Sequence, residues 1–332
     1  MTEVSPLVIP DPTVTFFEKD GTHPVFSYDG LRLASISSDK KKVTVWEMTS
    51  HGLVTYVPPI FVKKEVNCFS FSPINRDVFV SAAEDRTGIM RIDGPDSLVT
   101  ILGMEHKNPI KSCSFFPDGA SVLFAEQNGF ICIRYLEKAK FMASFDCRIP
   151  IEHVVVAQNG TFFVAITKEG IILLKRRWHW GLWLQQDIVK KGQVLVPNQS
   201  VVISPDSRFV IYKQTGKELI QIDLKTKKSS AIIGTFARPI ISFTYTCHGR
   251  FLLVATSFEI YIYDTATWTR IKYQNFRLEI RQIACSPDGR YIVVEGMEVL
   301  SFDPSPKDGL WLLDFGRPHL GTLMEEEAAL FI

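Results

Sequence analysis

One turn motif recurs along the chain and constrains its fold more than any other feature. A short apolar run ends in Ser/Phe-Pro-Asp-Gly or a related sequence, and a second β-type run follows at once. Pro or Asp followed by Gly, Asn or Ser favours a tight turn, because these residues fix φ or tolerate the left-handed region. The pattern predicts seven antiparallel hairpins, with turns at 26–30, 71–75, 115–119, 157–160, 203–207, 246–249 and 285–289.

A third apolar run follows each hairpin, and five of the seven runs place an acid at the equivalent position: Glu47, Asp93, Asp223, Asp264 and Asp314. Successive acids are 46, 130, 41 and 50 residues apart, and the 130-residue gap spans three repeats. Fourth β-type runs lie at 53–59, 97–103, 140–145, 181–188, 229–235 and 269–275. A period of about 40–45 residues with four strands per unit is typical of propeller blades.

With this period, these turns and an acid closing the third strand, the chain resembles the WD40-repeat family over about residues 12–316. Only Trp46-Glu47 approximates the Trp-Asp dipeptide of that family, and the Gly-His dipeptide is missing from every repeat. The His-Asp-Ser/Thr-Trp hydrogen-bond network of typical blades therefore cannot form here in its usual way. The resemblance therefore implies that the chain is a divergent member of the WD40-repeat family.

We therefore predict an all-β fold, a seven-bladed β-propeller of four-stranded antiparallel blades over residues 13–316. Residues 1–12 form an N-terminal extension, and residues 317–332 form an acidic and apolar C-terminal tail. The strand-like segment 13–19 is expected to pair in the last blade and close the ring, which protects sheet edges. Five residues on the first, innermost strands are predicted to be buried: Phe71, Phe115, Ile203, Phe243 and Ile283.

Composition limits the class and the compartment. The chain has 37 Lys+Arg and 36 Asp+Glu, a net charge of +1, which argues against a dedicated nucleic-acid binder. Its 46% hydrophobic residues argue against disorder. The six cysteines have no metal-ligand spacing, and we expect buried, reduced thiols. We see no signal peptide or membrane span, and we expect an intracellular protein, cytoplasmic or nuclear.

Catalytic interpretations find little support in the sequence. The seven histidines lie in different repeats, and no nucleophile elbow, HExxH or phosphate-binding loop occurs. The recurring acids occupy the repeat position that the fold itself uses. We expect no enzyme activity, no cofactor and no metal site.

The first candidate contact is a group of lysines in loops that the resemblance places on the top face. Lys40, Lys41 and Lys42 lie on one loop, and Lys63 and Lys64 lie on its neighbour. A mildly basic face suits an acidic peptide or a phosphate-bearing partner. The alternative is that these lysines are solvated and only keep the protein in solution.

The second candidate contact is the segment KRRWHWGLW, at the turn between the third and fourth strands of the fourth blade. Its central residues are Arg176, Arg177, Trp178, His179 and Trp180. Trp and Arg are enriched at interface hot spots. The alternative is that the indoles fold back onto the blade while the arginines flank them in water.

The sequence favours a non-catalytic scaffold for protein–protein interactions, a subunit of a larger intracellular complex whose partners are other proteins. The alternative is a propeller that binds RNA or a phosphorylated ligand through its basic loops. The C-terminal tail either docks as a short amphipathic helix, on the propeller or on a partner, or is a frayed terminus.

The two readings of the Trp segment predict opposite results when Trp178 and Trp180 are replaced by Ala. An interface should lose partner recovery in affinity purification while Tm stays almost unchanged, because burying an indole on a partner contributes about 2 kcal/mol or more. Indoles packed on the blade should instead lower Tm by several degrees. A lower Tm with undiminished recovery would end the interface interpretation.

Overall fold

The computed structural model describes twelve stretches of the chain: 11–49, 52–57, 59–61, 65–83, 86–91, 104–105, 108–136, 141–176, 183–191, 201–233, 236–299 and 306–315. Within them the regular structure is 29 strands and one short 3-10 turn at Cys247–Gly249. The predicted all-β class is confirmed. The chain divides into two compact units, Val25–Ala237, and Arg238–Ile332 together with Met1–Pro24.

The described strands form seven sheets, in which consecutive strands pair as hairpins. Strand β1 (Thr13–Lys19) joins sheet 7. Sheet 1 contains β2 (Gly21–Phe26), β3 (Arg32–Ser37), β4 (Lys42–Thr49), β5 (Gly52–Thr55) and β6 (Ile60–Phe61). Sheet 2 contains β7 (Val66–Phe71), β8 (Val78–Ala83), β9 (Arg86–Arg91) and β10 (Met104–Glu105). Sheet 3 contains β11 (Ile110–Phe115), β12 (Ser121–Glu126), β13 (Phe130–Tyr135) and β14 (Phe141–Asp146).

The remaining sheets repeat this order. Sheet 4 contains β15 (Ile151–Val156), β16 (Phe162–Thr167), β17 (Gly170–Arg176) and β18 (Trp183–Lys191). Sheet 5 contains β19 (Val201–Ile203), β20 (Phe209–Thr215), β21 (Glu218–Asp223) and β22 (Ser229–Ile233). Sheet 6 contains β23 (Ile240–Thr246), β24 (Phe251–Thr256), β25 (Glu259–Asp264) and β26 (Arg270–Asn275). Sheet 7 contains β27 (Leu278–Cys285), β28 (Tyr291–Glu298) and β29 (Asp308–Asp314), with β1 outside β29.

The prediction of seven uniform four-stranded blades is wrong in one respect. Six described sheets have four strands, and sheet 1 has five, because its outer strand is split into β5 and β6. Both pieces pair with β4, β6 through Lys42 and Val43. The sequence between them contains prolines at 58 and 59, and proline cannot donate to a ladder. Of the expected fourth strands, 97–103 lies outside the described residues, and β10 is the outer strand of sheet 2.

The N-terminal strand β1 pairs antiparallel with β29, from Thr13 opposite Asp314 to Lys19 opposite Gly309. A register shift between Phe16 and Glu18 interrupts the ladder. The Phe16 ring packs on Trp311 with ring centroids 4.9 Å apart. Segment 13–19 is thus the fourth strand of its sheet; that this pairing closes a ring of blades remains a prediction.

The turn between the first two strands of each sheet is held by a serine and an aspartate where the sequence has Ser-x-Asp. In sheet 5 the Ser204 hydroxyl donates to Asp206 at 2.5 Å. The Phe209 amide donates to Ser204 Oγ at 2.8 Å, and the Arg208 amide donates to Asp206 Oδ1 at 3.0 Å. Sheets 1 and 7 repeat these bonds with Ser27 and Ser286. The side chains satisfy the amides that the turn leaves unpaired.

In the unit Val25–Ala237, these turns also contact the turns of adjacent sheets. Arg76, after β7, pairs with Asp29 of the sheet 1 turn at 3.0 Å. A Cβ on Gly119 would lie 2.2 Å from Ile74 Cγ1, and Gly119 has a φ of +62°, so only glycine fits. The Asn159 amide donates to Ser207 Oγ at 3.1 Å. The turns of adjacent sheets therefore pack edge to edge.

The recurring acids at the ends of the third strands make structural contacts. Three of them pair with the arginine that follows the turn of the same sheet. Glu47 is 2.6 Å from Arg32, Asp223 is 2.9 Å from Arg208, and Asp314 is 3.2 Å from Arg290. Asp264 instead accepts the Ala266 and Thr267 amides at 2.8 and 3.1 Å. Asp93 lies outside the described residues.

Four of the five predicted core residues are buried: Phe71, Phe115, Phe243 and Ile283. Phe71 packs with β3 and β4 residues in a cluster shared by sheets 1 and 2, and Phe115 packs in one shared by sheets 2 and 3. Ile203 is only partly buried, so that prediction is wrong. It is the last residue of β19, a strand of only three residues, and packs at the margin of its cluster as a partly buried side chain.

This difference predicts unequal stability losses. Phe243→Ala should lower the free energy of unfolding by about 3–5 kcal/mol, because it removes a fully buried ring and leaves a cavity. Ile203→Ala should lower the free energy of unfolding by only about 1–2 kcal/mol, since part of the Ile203 side chain is already exposed to solvent. Urea denaturation followed by circular dichroism measures both. Equal losses would mean that the burial of the two sites differs from that described.

Candidate protein-interaction surface

Most of the predicted contact residues lie outside the described part of the chain: Lys63, Lys64, Arg177, Trp178, His179 and Trp180. Arg176 is the last residue of β17 and pairs in register with Trp183 of β18. β17 and β18 are the third and fourth strands of sheet 4, and residues 177–182 between them lie outside the described residues. Residues 317–332 also lie outside the described residues.

Lys40, Lys41 and Lys42 are described: Lys40 and Lys41 lie in the turn between β3 and β4, and Lys42 is the first residue of β4. The Lys40 amide donates to the Ser37 carbonyl at 2.8 Å, and Lys40 has a φ of +59°. The Ser37 hydroxyl donates to Asp39, whose Oδ1 also accepts the Lys41 amide at 3.1 Å. The Lys42 amide donates to Ser37 Oγ at 3.0 Å. This is the Ser-x-Asp turn again, now with lysine where the other turns have Gly or Ser.

The carboxylate of Asp39 partly offsets the charge of this turn. The hydroxyl of Ser37 and the amide of Lys41 lower the pKa of Asp39, and the Lys41 and Lys42 cations add to the effect. Asp39 is therefore ionised at neutral pH, and residues 39–42 carry three cations and one anion, a net charge of +2. Since the whole chain is near neutral, this turn is a local positive excess.

An exposed phenylalanine lies beside the lysine turn. Phe61 of β6 is 78% exposed and is paired in register with Lys42. Its neighbour Ile60 points the other way, into the core of sheets 1 and 2. The Val66 amide donates to the Lys40 carbonyl at 2.9 Å, which ties the turn to the start of β7. We call Asp39–Lys42 and Phe61 the Lys–Phe surface.

Sequence reasoning missed Phe61, although a signal was present. Strand alternation from Ile60 would have placed Phe61 outward, next to Lys63 and Lys64 in sequence. The proline pair instead favoured an end of the strand at residue 59.

A second set of exposed apolar side chains lies at the opposite end of β3, on the packed turns. Tyr28, Leu31 and Ile74 are 49, 42 and 60% exposed. The Arg76–Asp29 ion pair joins the turns of sheets 1 and 2 that carry them. We call these residues the Tyr28–Ile74 surface.

A polar pair between sheets 3 and 4 involves the ring of a half-buried histidine. Ser112 Oγ is 2.9 Å from His153 Nδ1 and accepts the Val154 amide at 3.2 Å. Because Oγ already accepts that amide, its own hydrogen is free to donate to Nδ1. Ser242 accepts the Ile283 amide in the same way, with Gln282 at the position of His153. This repetition identifies His153 as a structural residue.

The described residues lack two other kinds of feature. They contain no group of three or more His, Cys, Asp or Glu side chains placed to hold a metal ion. They also contain no helix long and apolar enough to cross a membrane.

Comparison with known proteins gives one informative similarity. No family model matches the chain. The WD repeat-containing protein 26 homolog of Arabidopsis thaliana is 25% identical over 153 residues, which are 45% of this chain and 25% of that protein. The chain thus matches about a quarter of the length of that relative. Together with the repeated sheets, this similarity supports a divergent WD40-repeat β-propeller.

The His153 environment predicts a pH dependence. Burial lowers the pKa of His153 to about 4, below the 6.5 of a free histidine. Between these values the unfolded chain binds the proton and the folded chain does not, so stability falls as pH drops from 6.5 to 4. The slope contributed is up to about 1.4 kcal/mol per pH unit.

His153→Gln, which copies Gln282, should flatten this slope in urea denaturation at pH 4 to 7. His248→Asn provides a matched control, because His248 is exposed and Asn tolerates its φ of +54°. An unchanged slope in His153→Gln would contradict the assignment.

Proposed function

We propose that the protein is a non-catalytic interaction scaffold, and that the Lys–Phe surface contacts an acidic partner segment carrying an apolar side chain. The observation that supports this most is the 78% exposure of Phe61 beside a turn of net charge +2. WD-repeat propellers are generally non-enzymatic scaffolds that bind other proteins.

The energetics of the surface favour a peptide partner. Burying a phenylalanine side chain contributes about 1.5–3 kcal/mol, whereas exposed lysines contribute mainly orientation and association rate. The turn is held by hydrogen bonds to Ser37 and Asp39, so it loses little conformational entropy when a partner binds. Phe61 provides an apolar contact and the lysines beside it provide positive charge, so this surface is complementary to an acidic segment with one large apolar residue.

The wider proposal includes features that are inferred from sequence. We infer that the chain is a subunit of a larger intracellular complex, with the propeller over residues 13–316 between flanking segments 1–12 and 317–332. Lys63 and Lys64 would extend the Lys–Phe surface, and Arg176–Trp180 would provide a second contact.

The second candidate function is binding of RNA or a phosphorylated ligand at the same surface. An exposed aromatic ring beside lysines is also the arrangement on which single-stranded bases stack. The two candidates differ in salt dependence, because each phosphate contact steepens the fall of log K with log salt.

The test uses the full-length chain and fluorescence anisotropy with three probes. These are a glutamate-rich peptide with one Phe, the same peptide with that Phe replaced by Ala, and oligouridylate. Phe61→Ser should weaken the first complex about tenfold or more, and Lys41→Gln about threefold, with Tm unchanged in both. Ile74→Ser, on the Tyr28–Ile74 surface, is the matched control and should bind normally.

Affinity purification of the same variants then tests the scaffold role. Recovery of co-purifying proteins should fall in Phe61→Ser and not in Ile74→Ser. Tight, steeply salt-dependent oligouridylate binding without peptide binding would replace the proposal by the RNA alternative. Equal behaviour of both variants with every probe would remove the Lys–Phe surface from the function.

A further inference from the structure

Two cysteine sulfurs from adjacent sheets meet in the unit Val25–Ala237. Cys68 Sγ, on β7, is 3.2 Å from Cys113 Sγ, on β11. A disulfide bond is about 2.05 Å long, so the sulfurs need to approach by roughly 1.2 Å to bond. The adjacent Asn67 amide group donates to the Ile110 carbonyl at 2.9 Å, which links the two strands beside the thiols.

The two thiols have different surroundings. Cys113 is 6% exposed and lies in the apolar cluster of sheets 2 and 3, whereas Cys68 is partly exposed at its edge. The hydrogen bond with Cys68 and desolvation raise the pKa of Cys113 well above its ordinary value, so Cys113 is a protonated thiol at neutral pH. An oxidant in the solvent therefore reacts first with Cys68, because its thiol is the more accessible of the two.

The backbone contributes to this arrangement. Both strands carry a register shift next to the site, between Val66 and Cys68 in β7 and between Ile110 and Ser112 in β11. Such shifts re-aim side chains. The residues are also 45 positions apart, close to one repeat period, so successive sheets bring them together.

We propose that Cys68 and Cys113 form a redox modification site, a dithiol that hydrogen peroxide converts to a disulfide joining sheets 2 and 3. Cys68 sulfur attacks one peroxide oxygen, the O–O bond breaks, and the departing hydroxide takes the thiol proton as water. Cys113 sulfur then attacks the sulfenic sulfur of Cys68, the S–O bond breaks, and the departing hydroxide takes the Cys113 proton. Two thiols lose two electrons and two protons, and one peroxide becomes two waters.

The disulfide has a physical consequence that can be measured separately from its chemistry. A bond between positions 68 and 113 closes a long loop and restricts the unfolded chain. Oxidised protein should therefore melt several degrees above reduced protein, and dithiothreitol should reverse the change.

The experiment treats the reduced full-length chain with hydrogen peroxide, removes the peroxide, and denatures the chain. The remaining thiols are then alkylated with N-ethylmaleimide, and the peptides are mapped by mass spectrometry. We expect one cross-linked peptide pair, Cys68 with Cys113, two hydrogen masses lighter than the two thiol peptides. Cys68→Ser should leave Cys113 alkylated and unoxidised. In Cys113→Ser, oxidation should stop at a sulfenic acid on Cys68, which can be trapped with dimedone.

Cys285→Ser is the matched control, because Cys285 is also partly exposed but lies 3.0 Å from Thr246 Oγ1. This variant should form the cross-link at the wild-type rate. Cys113→Ala replaces Cys113→Ser if the serine variant does not fold. Alkylation or overoxidation of Cys68 and Cys113 without a cross-linked pair, or a cross-link that survives Cys68→Ser, would overturn the proposal.

Discussion

Hydrogen bonds from backbone amides to a serine hydroxyl and an aspartate carboxylate fix the hairpin turns from which the sheets are built. The Ser204–Asp206 and Ser286–Asp288 turns repeat the same bonds, and Ser37–Asp39 uses them at the other end of its strand. Each turn reverses the chain with its amides satisfied, so the next strand starts in register. The apolar clusters between sheets depend on that register, because a shift by one residue would turn every side chain to the other face.

Ion pairs join the ends of the third strands to the arginines that follow the hairpin turns of the same sheets. Arg32 is 3% exposed, contacts Glu47 and Asp77, and stacks 3.6 Å from the centre of the Tyr56 ring. A charge so far from water needs such partners, because desolvation alone would be destabilising. Acids held in this way stabilise the fold.

The sequence predicted features that repeat and missed features that occur once. Turn chemistry and the acid spacing predicted the sheets and their strand order, because each signal recurs with the period of the fold. The position of β1 was predicted by counting strands, because the last repeat has no fourth run of its own. The two-residue strand β6 is too short to show a periodicity, so Phe61 was missed. Ile203 was predicted to be buried as a residue of a first, innermost strand, but it is the last residue of the short strand β19 and is only partly buried. The spacing of 45 between Cys68 and Cys113 matched the repeat period and was a usable signal.

The edge-to-edge packing of the turns gives the two ends of each sheet different freedom to diverge. Ile74 fills the space beside Gly119, and Asn159 bonds to Ser207, so a longer turn at either place would displace its neighbour. An insertion in one turn at that end would require the turns of neighbouring repeats to change as well. The Ser37–Lys42 turn points away from this row, and its lysines can be exchanged without disturbing the packed turns. The surface on that side can therefore change between related proteins while the architecture beneath it stays the same.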